Sequence, residues 1–429
     1  MSTFTQHSSR RETLNLTAKS SRLKILILRV RLLYPLNCAG KIRTAKILEQ
    51  LNKHHDVTLV AYRFPEDTDE DEKLTAEHCS RLITIPYTEA AKGTLQFYSE
   101  LGANLLQSKP YVVSKYSSRA MARSVEHLYH AMQPDLIICD FLQSCEALRY
   151  IPHAPFVLFQ HNVEAIIFEQ MASRATHFWE RAFHSLQGWR LRRYERKMCR
   201  RATRVFTVSE IDCRDFAEQY DVHHCDVVPT GVDTDYYQPS ASPPRTNNIV
   251  FSGSMDWIAN QDAVQYFVRD ILPLVRKEIP DVMFSVVGRN PPPEIRKLGE
   301  AHHIHITGNV DDIRPFLRAA KVYVAPMRMG SGTRLKLFEA MAMGKAIVST
   351  SSGAAGLPVH YGKNIVFADT PERFAQQVIE LMRDHYWREL VEQNARALVE
   401  KHHSWKQVGQ VFNELCYSAM IGTYDRRKS

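Results

Sequence analysis

Long apolar runs are missing from this 429-residue chain. No stretch approaches the roughly 18 or more consecutive apolar residues of a membrane span, so any contact with a membrane is expected at its surface. Residues 1–22, MSTFTQHSSRRETLNLTAKSSR, lack the apolar stretch of a signal peptide and are expected to form a disordered tail. The eight cysteines include no C-x-x-C pair. That spacing excludes a zinc site or a disulfide framework, and reduced thiols in a cytosolic protein are expected. Charge is not extreme: 55 Lys and Arg against 47 Asp and Glu give a net +8. No zinc knuckle, homeodomain-like helix or RNA-recognition signature accompanies it, so nucleic acid ranks behind a membrane surface or an anionic small ligand as a partner.

What is present is alternation. The apolar run LKILILR (23–29) is followed by the helical period of KIRTAKILEQLNKHH (41–55) and by DVTLVAY (56–62), the opening of a βαβ unit. Further short apolar runs are RLITIP (81–86), DLIICD (135–140), PFVLFQ (155–160), RVFTVS (204–209) and DVVPTG (226–231). Continuous runs of this length suit strands buried on both faces of a parallel sheet. YYQPSASPPRTNN (236–248) breaks the pattern, and NIVFSGS (248–254), VMFSVVG (282–288), HIHITG (303–308), KVYVAP (321–326), KAIVST (345–350) and NIVFAD (364–369) restart it. Two doubly wound Rossmann-like α/β domains facing a central cleft are predicted: 23–238 and 248–402, joined by a linker at 239–247, with a helix and tail over 403–429. Ligands belong at the carboxyl edges of such sheets, hence in the cleft. The helical stretch from about 370 to 420 exceeds what the second domain needs and is expected to cross back to the first.

The densest chemistry lies in KVYVAPMRMGSGTRLKLFEAMAMGKAIVST (321–350). A strand ends at Pro326, the loop 327–332 follows, and a helix runs to Gly344. The loop residues Gly330, Ser331, Gly332 and Thr333 present backbone N–H groups at a helix N-terminus, which is an anion site by construction. Arg334 and Lys336 place cations where the helix dipole favours acids, so an anionic ligand is expected to offset them; the plain alternative is two solvated side chains. Glu339 reads either as an exposed helical acid or as a hydroxyl acceptor for a ribose. In the first domain, PLNCAGKIR (35–43) sits between strand and helix. Gly40 there is a close-approach residue or simple turn chemistry, and Arg43 is a candidate anion contact. His161 follows the strand PFVLFQ, at the edge where sites are built; Asn162 and Glu164 are weaker candidates beside it.

The ordered set SGSMDW, VVGR, TGNVDDIRPFL, the 321–350 segment and SGAAGL resembles the donor domain of group 1 glycosyltransferases, the retaining family with the GT-B fold. The resemblance extends upstream through FTVSEIDC, VVPTGVDTDYY and QHNVEA. The version carrying QHNVE and GSGTRLK is similar to bacterial sugar transferases of polysaccharide-export clusters. Carried over, the resemblance makes Glu339 the second acid of the family's Glu-x7-Glu signature and assigns it the donor ribose. Ser331 stands where the first acid usually meets the donor sugar. Where the family often places an Arg and a Lys for the diphosphate, this chain has Ser254, Met255 and Asp256, so Arg334 and Lys336 are expected to supply that charge. His161 is implied to contact the donor sugar near the reacting centre.

These readings define one expectation: transfer of a sugar, with retention, from a nucleoside-diphosphate sugar to a saccharide or lipid-linked acceptor in cell-envelope or exopolysaccharide synthesis. The competing readings are a sugar-nucleotide epimerase of the same fold and a catalytically silent nucleotide-sugar-binding protein. No cofactor is expected. No metal is assigned either: the Asp-x-Asp of DTDED (67–71) reads as a solvated acidic loop, and that of DTD (233–235) as a helix start or turn. A cytoplasmic protein, peripheral on the inner membrane face, is expected. The basic aromatic stretch 177–204 is either a helix lying on anionic lipid or a surface helix whose Trp, Tyr and Leu pack on the first domain.

Overall fold

The structure is a computed structural model that describes residues 22–91, 93–175, 177–240, 246–329 and 335–428. The first sheet contains β1 (Lys24–Leu28), β2 (Asp56–Arg63), β3 (Arg81–Pro86), β4 (Leu136–Asp140), β5 (Val157–Phe159), β6 (Arg204–Thr207) and β7 (Cys225–Val227), in the order β3-β2-β1-β4-β5-β6-β7. The second contains β8 (Asn248–Ser252), β9 (Met283–Val287), β10 (His305–Ile306), β11 (Val322–Ala325), β12 (Ala346–Ser349) and β13 (Val366–Phe367), in the order β10-β9-β8-β11-β12-β13. Every pairing within them is parallel. Helices cover both faces, which is why the strand sequences are continuously apolar: all residues of β4 and β12 are buried.

Both sheets reverse their strand order beside their first strand. β2 and β4 flank β1, and β9 and β11 flank β8. The crevice beyond the carboxyl ends at such a reversal is where open α/β sheets hold ligands. The chain passes between the domains twice, and the two passages run side by side where Val232 N–H donates to the His403 carbonyl at 2.7 Å. Helix Trp405–Lys428 then returns to the first domain, where the Phe412 ring lies 5.4 Å from both Phe159 and Phe206. In the second domain, helix Leu335–Ala342 ends at Gly344, whose left-handed φ of +63° closes the helix as its sequence position predicts.

Three expectations need correction. DTDED is not a free loop: Thr68 caps helix Asp69–Ala76, its side chain accepting from Asp71 N–H while Asp71 accepts in return. This capping box draws acids to a helix start without any ligand. Nor are all eight thiols free, because Cys213 and Cys225 are joined, their Cα atoms 5.7 Å apart. Helix Glu210–Tyr220 and β7 bring them together across 12 residues, a spacing that no short motif announces. Finally, the helix over 260–279 is interrupted by a π turn at Phe267–Ile271 ahead of Pro273, since proline cannot donate within a helix and crowds the preceding turn.

Candidate active site

The first-domain edge is organised by a buried acid. Asp140 closes β4, and its carboxylate accepts from Thr44 Oγ1 (2.9 Å), from the Arg29 guanidinium and from His161 Nε2 (2.7 Å). Arg29 follows β1, Thr44 lies on helix Ala39–Asn52, and His161 follows β5, so one carboxylate ties the β1/β4 reversal together. Burial opposes ionisation of Asp140; Arg29 and His161 more than offset it and hold the carboxyl below its ordinary range.

His161 lies at this edge as expected, but it is only 4% exposed. Its Nδ1 faces Arg43 Nη1 at 3.0 Å. Arginine can only donate, so Nδ1 accepts, Nε2 carries the proton, and that N–H donates to Asp140. Neither ring nitrogen is left for a sugar hydroxyl in this arrangement. Burial holds the imidazole neutral, its pKa pushed down to about 4 against the pull of Asp140. Between the ordinary pKa of 6.5 and about 4, the unfolded chain takes up a proton here that the folded protein refuses. This site therefore makes stability fall as pH drops through that window, and contributes no slope above it. Nitrogen NMR of the imidazoles is expected to show His161 as the neutral Nε2–H tautomer at pH 6; a protonated ring at that pH contradicts the assignment.

Arg43 was a candidate for an anion, yet its guanidinium is buried within the protein. It donates to His161 and, through Nη2, to Thr230 Oγ1 at 2.9 Å, reaching the interdomain segment. Burial lowers its pKa to about 10. Gly40 is a close-approach residue, but what it approaches is protein: a Cβ there would lie 2.9 Å from Phe141 Cζ. The Phe141 ring stacks on His161 with centroids 3.9 Å apart. Phe141 has φ +71° and ψ 154°, a region open essentially to glycine alone, with strain of order 1–3 kcal/mol. Its N–H to the Phe159 carbonyl (2.9 Å) and the ring stack hold it there.

Glu164 and Asn162 stand just after His161. The Glu164 carboxyl accepts from Gln143 at 3.3 Å, and burial raises its pKa to about 7. The start of its helix, Glu164–Arg174, is capped from a distance: Glu195 accepts from Glu164 N–H (2.9 Å), Ala165 N–H (3.3 Å), Gln160 Nε2 (3.0 Å) and Tyr220 OH (2.7 Å). Glu195 thus fixes the loop that carries His161.

On the facing domain, the residues Gly330, Ser331, Gly332, Thr333 and Arg334 lie outside the described residues. Lys336 and Glu339 are placed one turn apart on helix Leu335–Ala342. Lys336 Nζ donates to Asn260 Oδ1 at 2.7 Å and sits 4.4 Å over the ring of Phe251, near the carboxyl end of β8. The Glu339 carboxylate accepts from Tyr237 OH at 3.2 Å, and burial raises its pKa to about 6 despite Lys336. A further cation enters from β9: Arg289 Nε donates to Ser254 Oγ at 3.1 Å and pairs with Asp256 at 3.3 Å. It occupies the neighbourhood where the sequence offered only Ser254, Met255 and Asp256.

Asp140, Arg29, Arg289, Asn260 and Tyr237 were not singled out in the sequence. Asp140, Arg29 and Arg289 had one legible signal: each is a charge directly at or after the carboxyl end of an apolar strand, at a sheet reversal. Asn260 and Tyr237 had none.

Two parallel α/β domains, each with its strand reversal turned to a polar edge, define the GT-B architecture. The family pattern described as "Glycosyl transferases group 1" matches residues 246–384, and that described as "Glycosyltransferase Family 4" matches residues 42–236. The chain belongs to the group 1 glycosyltransferases. It is 20% identical to an uncharacterised 44.6 kDa protein in the cps region of Klebsiella pneumoniae, over 91% of this chain and 99% of that one. Over 34% of this chain and 40% of the other, it is 32% identical to phosphatidyl-myo-inositol mannosyltransferase of Mycobacterium tuberculosis. Among solved structures, Anabaena HepE in complex with UDP and glucose superposes with a TM-score of 0.65 at 15% identity, covering 92% of this chain and 100% of that one. Sucrose-phosphate synthase of Thermosynechococcus elongatus gives 0.67 at 15% identity, covering 92% and 99%. Among the described residues, no helix is long and apolar enough to cross a membrane.

Proposed function

We propose that this glycosyltransferase moves a hexose from a nucleoside-diphosphate sugar to a saccharide or lipid-linked acceptor of the cell envelope, with retention at the anomeric carbon. The observation that carries the donor assignment is the pairing of Lys336 and Glu339 on one helix at the second sheet's reversal. Lys336, Arg289 and the start of helix Leu335–Ala342 supply positive charge for a departing diphosphate, so the reading requires neither a metal nor a cofactor. Glu339 accepts from a ribose hydroxyl. His161, with both nitrogens engaged, positions the loop 160–164 facing the donor rather than exchanging protons. Retention is part of the proposal and is supported by the resemblance to the group 1 family alone. The Klebsiella relative's cps setting and the mannosyltransferase's lipid substrate favour an envelope acceptor met at the inner membrane face.

A mass-spectrometric screen of nucleotide sugars against cell-envelope lipid extracts tests this reading. The expected outcome is an acceptor-dependent glycosylated product from one donor. Conversion of a donor to its epimer without acceptor, or donor binding with no turnover across the extracts, overturns it.

A further inference from the structure

Six of the eight cysteines are thiols, and five of them, Cys79, Cys139, Cys145, Cys199 and Cys416, are buried. Burial pushes the Cys79 thiol up to about 11 and raises those of Cys145 and Cys199 well above the ordinary range, which leaves them unreactive. The joined pair differs: Cys213 and Cys225 are both only half-buried. Thr207 Oγ1 lies 3.3 Å from the Cys213 sulfur and 3.7 Å from that of Cys225, so a hydroxyl stands ready to bond a thiol once the sulfurs part.

The bond joins two arms of the site. β7 is a three-residue edge strand paired only with β6, and Cys225 ties it to helix Glu210–Tyr220 through Cys213. Beyond β7 the chain enters the interdomain passage, where Thr230 accepts from the buried Arg43 and Val232 N–H donates to His403. On the other arm, Ser209 Oγ caps the helix, accepting from Asp212 N–H at 3.1 Å and donating to the Asp212 carboxylate at 2.7 Å. Asp212, next to Cys213, favours the charged form of Arg43. Both arms therefore lead to the guanidinium that braces His161. The same helix start also meets the second domain: a Cβ on Gly356 would lie 3.6 Å from Ile211 Cδ1 and 3.9 Å from Ser209 Cβ.

We propose that Cys213 and Cys225 form a reversible disulfide that follows the thiol–disulfide balance around the protein, and that its opening releases the helix start from the Gly356 turn and slows sugar transfer. The reductant is a small thiol such as glutathione. Its thiolate attacks one sulfur and frees the other as a thiolate, which takes a proton; a second glutathione then displaces the first. Two glutathione thiols become one oxidised glutathione, and their two electrons and two protons pass to the cysteine pair. Oxidised glutathione runs the step backwards.

The full chain equilibrated across ratios of reduced to oxidised glutathione tests this, with bond status read by differential alkylation and mass spectrometry and backbone opening by hydrogen exchange. Cys213 and Cys225 are expected to become alkylatable together as reduced glutathione rises, and to close when the oxidised form is restored. Exchange over 208–214 and 225–232 is expected to rise about tenfold or more on reduction, and transfer to slow severalfold in step. Cys213→Ser with Cys225→Ser is expected to sit at the reduced level at every ratio. Circular dichroism checks that this variant folds; if it does not, the wild-type titration decides alone. A bond that glutathione leaves closed, and that only dithiothreitol in urea opens, is a static cross-link and overturns the proposal. Thiols that stay free in oxidised glutathione overturn it too, as does an opening that leaves exchange or a measurable rate unchanged. The slowing rests on the proposed transfer reaction. Absence of transfer at every ratio counts against that reaction, while alkylation and exchange still judge the bond.

Discussion

Asp140→Ala is expected to cost about 3–5 kcal/mol of folding stability, the range for removing one partner of a buried ion pair, and to lower turnover about a hundredfold or more. The reason is what remains behind. Arg29 is 5% exposed, and its guanidinium loses the only carboxylate bonded to it among the described residues. Thr44 and the His161 Nε2–H lose their acceptor at the same time. With His161 unanchored, its stack with Phe141 and its bond to Arg43 no longer have a fixed geometry, and the loop leading to helix Glu164–Arg174 loses one of its ties. Asp140→Asn separates charge from shape: its one amide oxygen can still accept from His161, but the amide NH2 then takes the place of the oxygen that Thr44 and Arg29 bond, and Arg29 is left uncompensated. Asn is therefore expected to lose much of the stability and less of the activity. Urea unfolding together with initial rates measures both. Wild-type values in the Ala variant would remove Asp140 from the centre of the site.

The second large effect concerns the donor. Lys336→Ala combined with Glu339→Ala is expected to weaken nucleoside-diphosphate binding more than a hundredfold. Each residue contributes a hydrogen bond to or from a charged group, roughly 1.5–3 kcal/mol apiece, and roughly 1.4 kcal/mol is tenfold in affinity. Glu339→Gln alone keeps an acceptor oxygen and is expected to lose the smaller share. Glu339 also sets a pH direction. Its folded pKa of about 6 lies above the ordinary 4.5, so its contribution to stability is complete below pH 4.5 and is lost as pH rises through about 6. Glu339→Gln is therefore expected to narrow the difference in stability between pH 5 and pH 8. An unchanged difference would place Glu339 in a more solvated setting than the structure gives it.

The fold was legible because parallel strands leave a strong local trace. KVYVAP and KAIVST read as buried strands, and β11 and β12 are there. The trace weakened where strands are short or end early. β7 stops at Val227, ahead of Pro229, which has no N–H for a further ladder bond. The site was legible as places rather than as contacts. His161, Gly40 and Glu339 do lie at strand ends and helix starts beside the two reversals. Their partners are set by distances along the chain that no local pattern encodes: Asp140 meets Arg29 across 111 residues, and Arg43 meets His161 across 118. For the same reason Arg43, which looked like an anion ligand, is a buried brace. Helix Leu95–Leu105 shows the limit from the other side. Apolar residues lie on both of its sides, half-buried Phe97 and Leu101 beside Asn104 and exposed Leu95, Tyr98 and Leu105 opposite, and the bonds of Asn104 with Gln187 and Arg190 show which side is turned inward.

The central claim is that the edge of the second domain built on Lys336, Glu339 and Arg289 holds a nucleoside diphosphate. Calorimetric titration of the full chain with UDP, GDP and ADP measures it most directly. Saturable binding of one of the three is predicted, abolished by Lys336→Ala with Glu339→Ala. Binding that survives the double substitution unchanged, or no binding of any of the three, would contradict it.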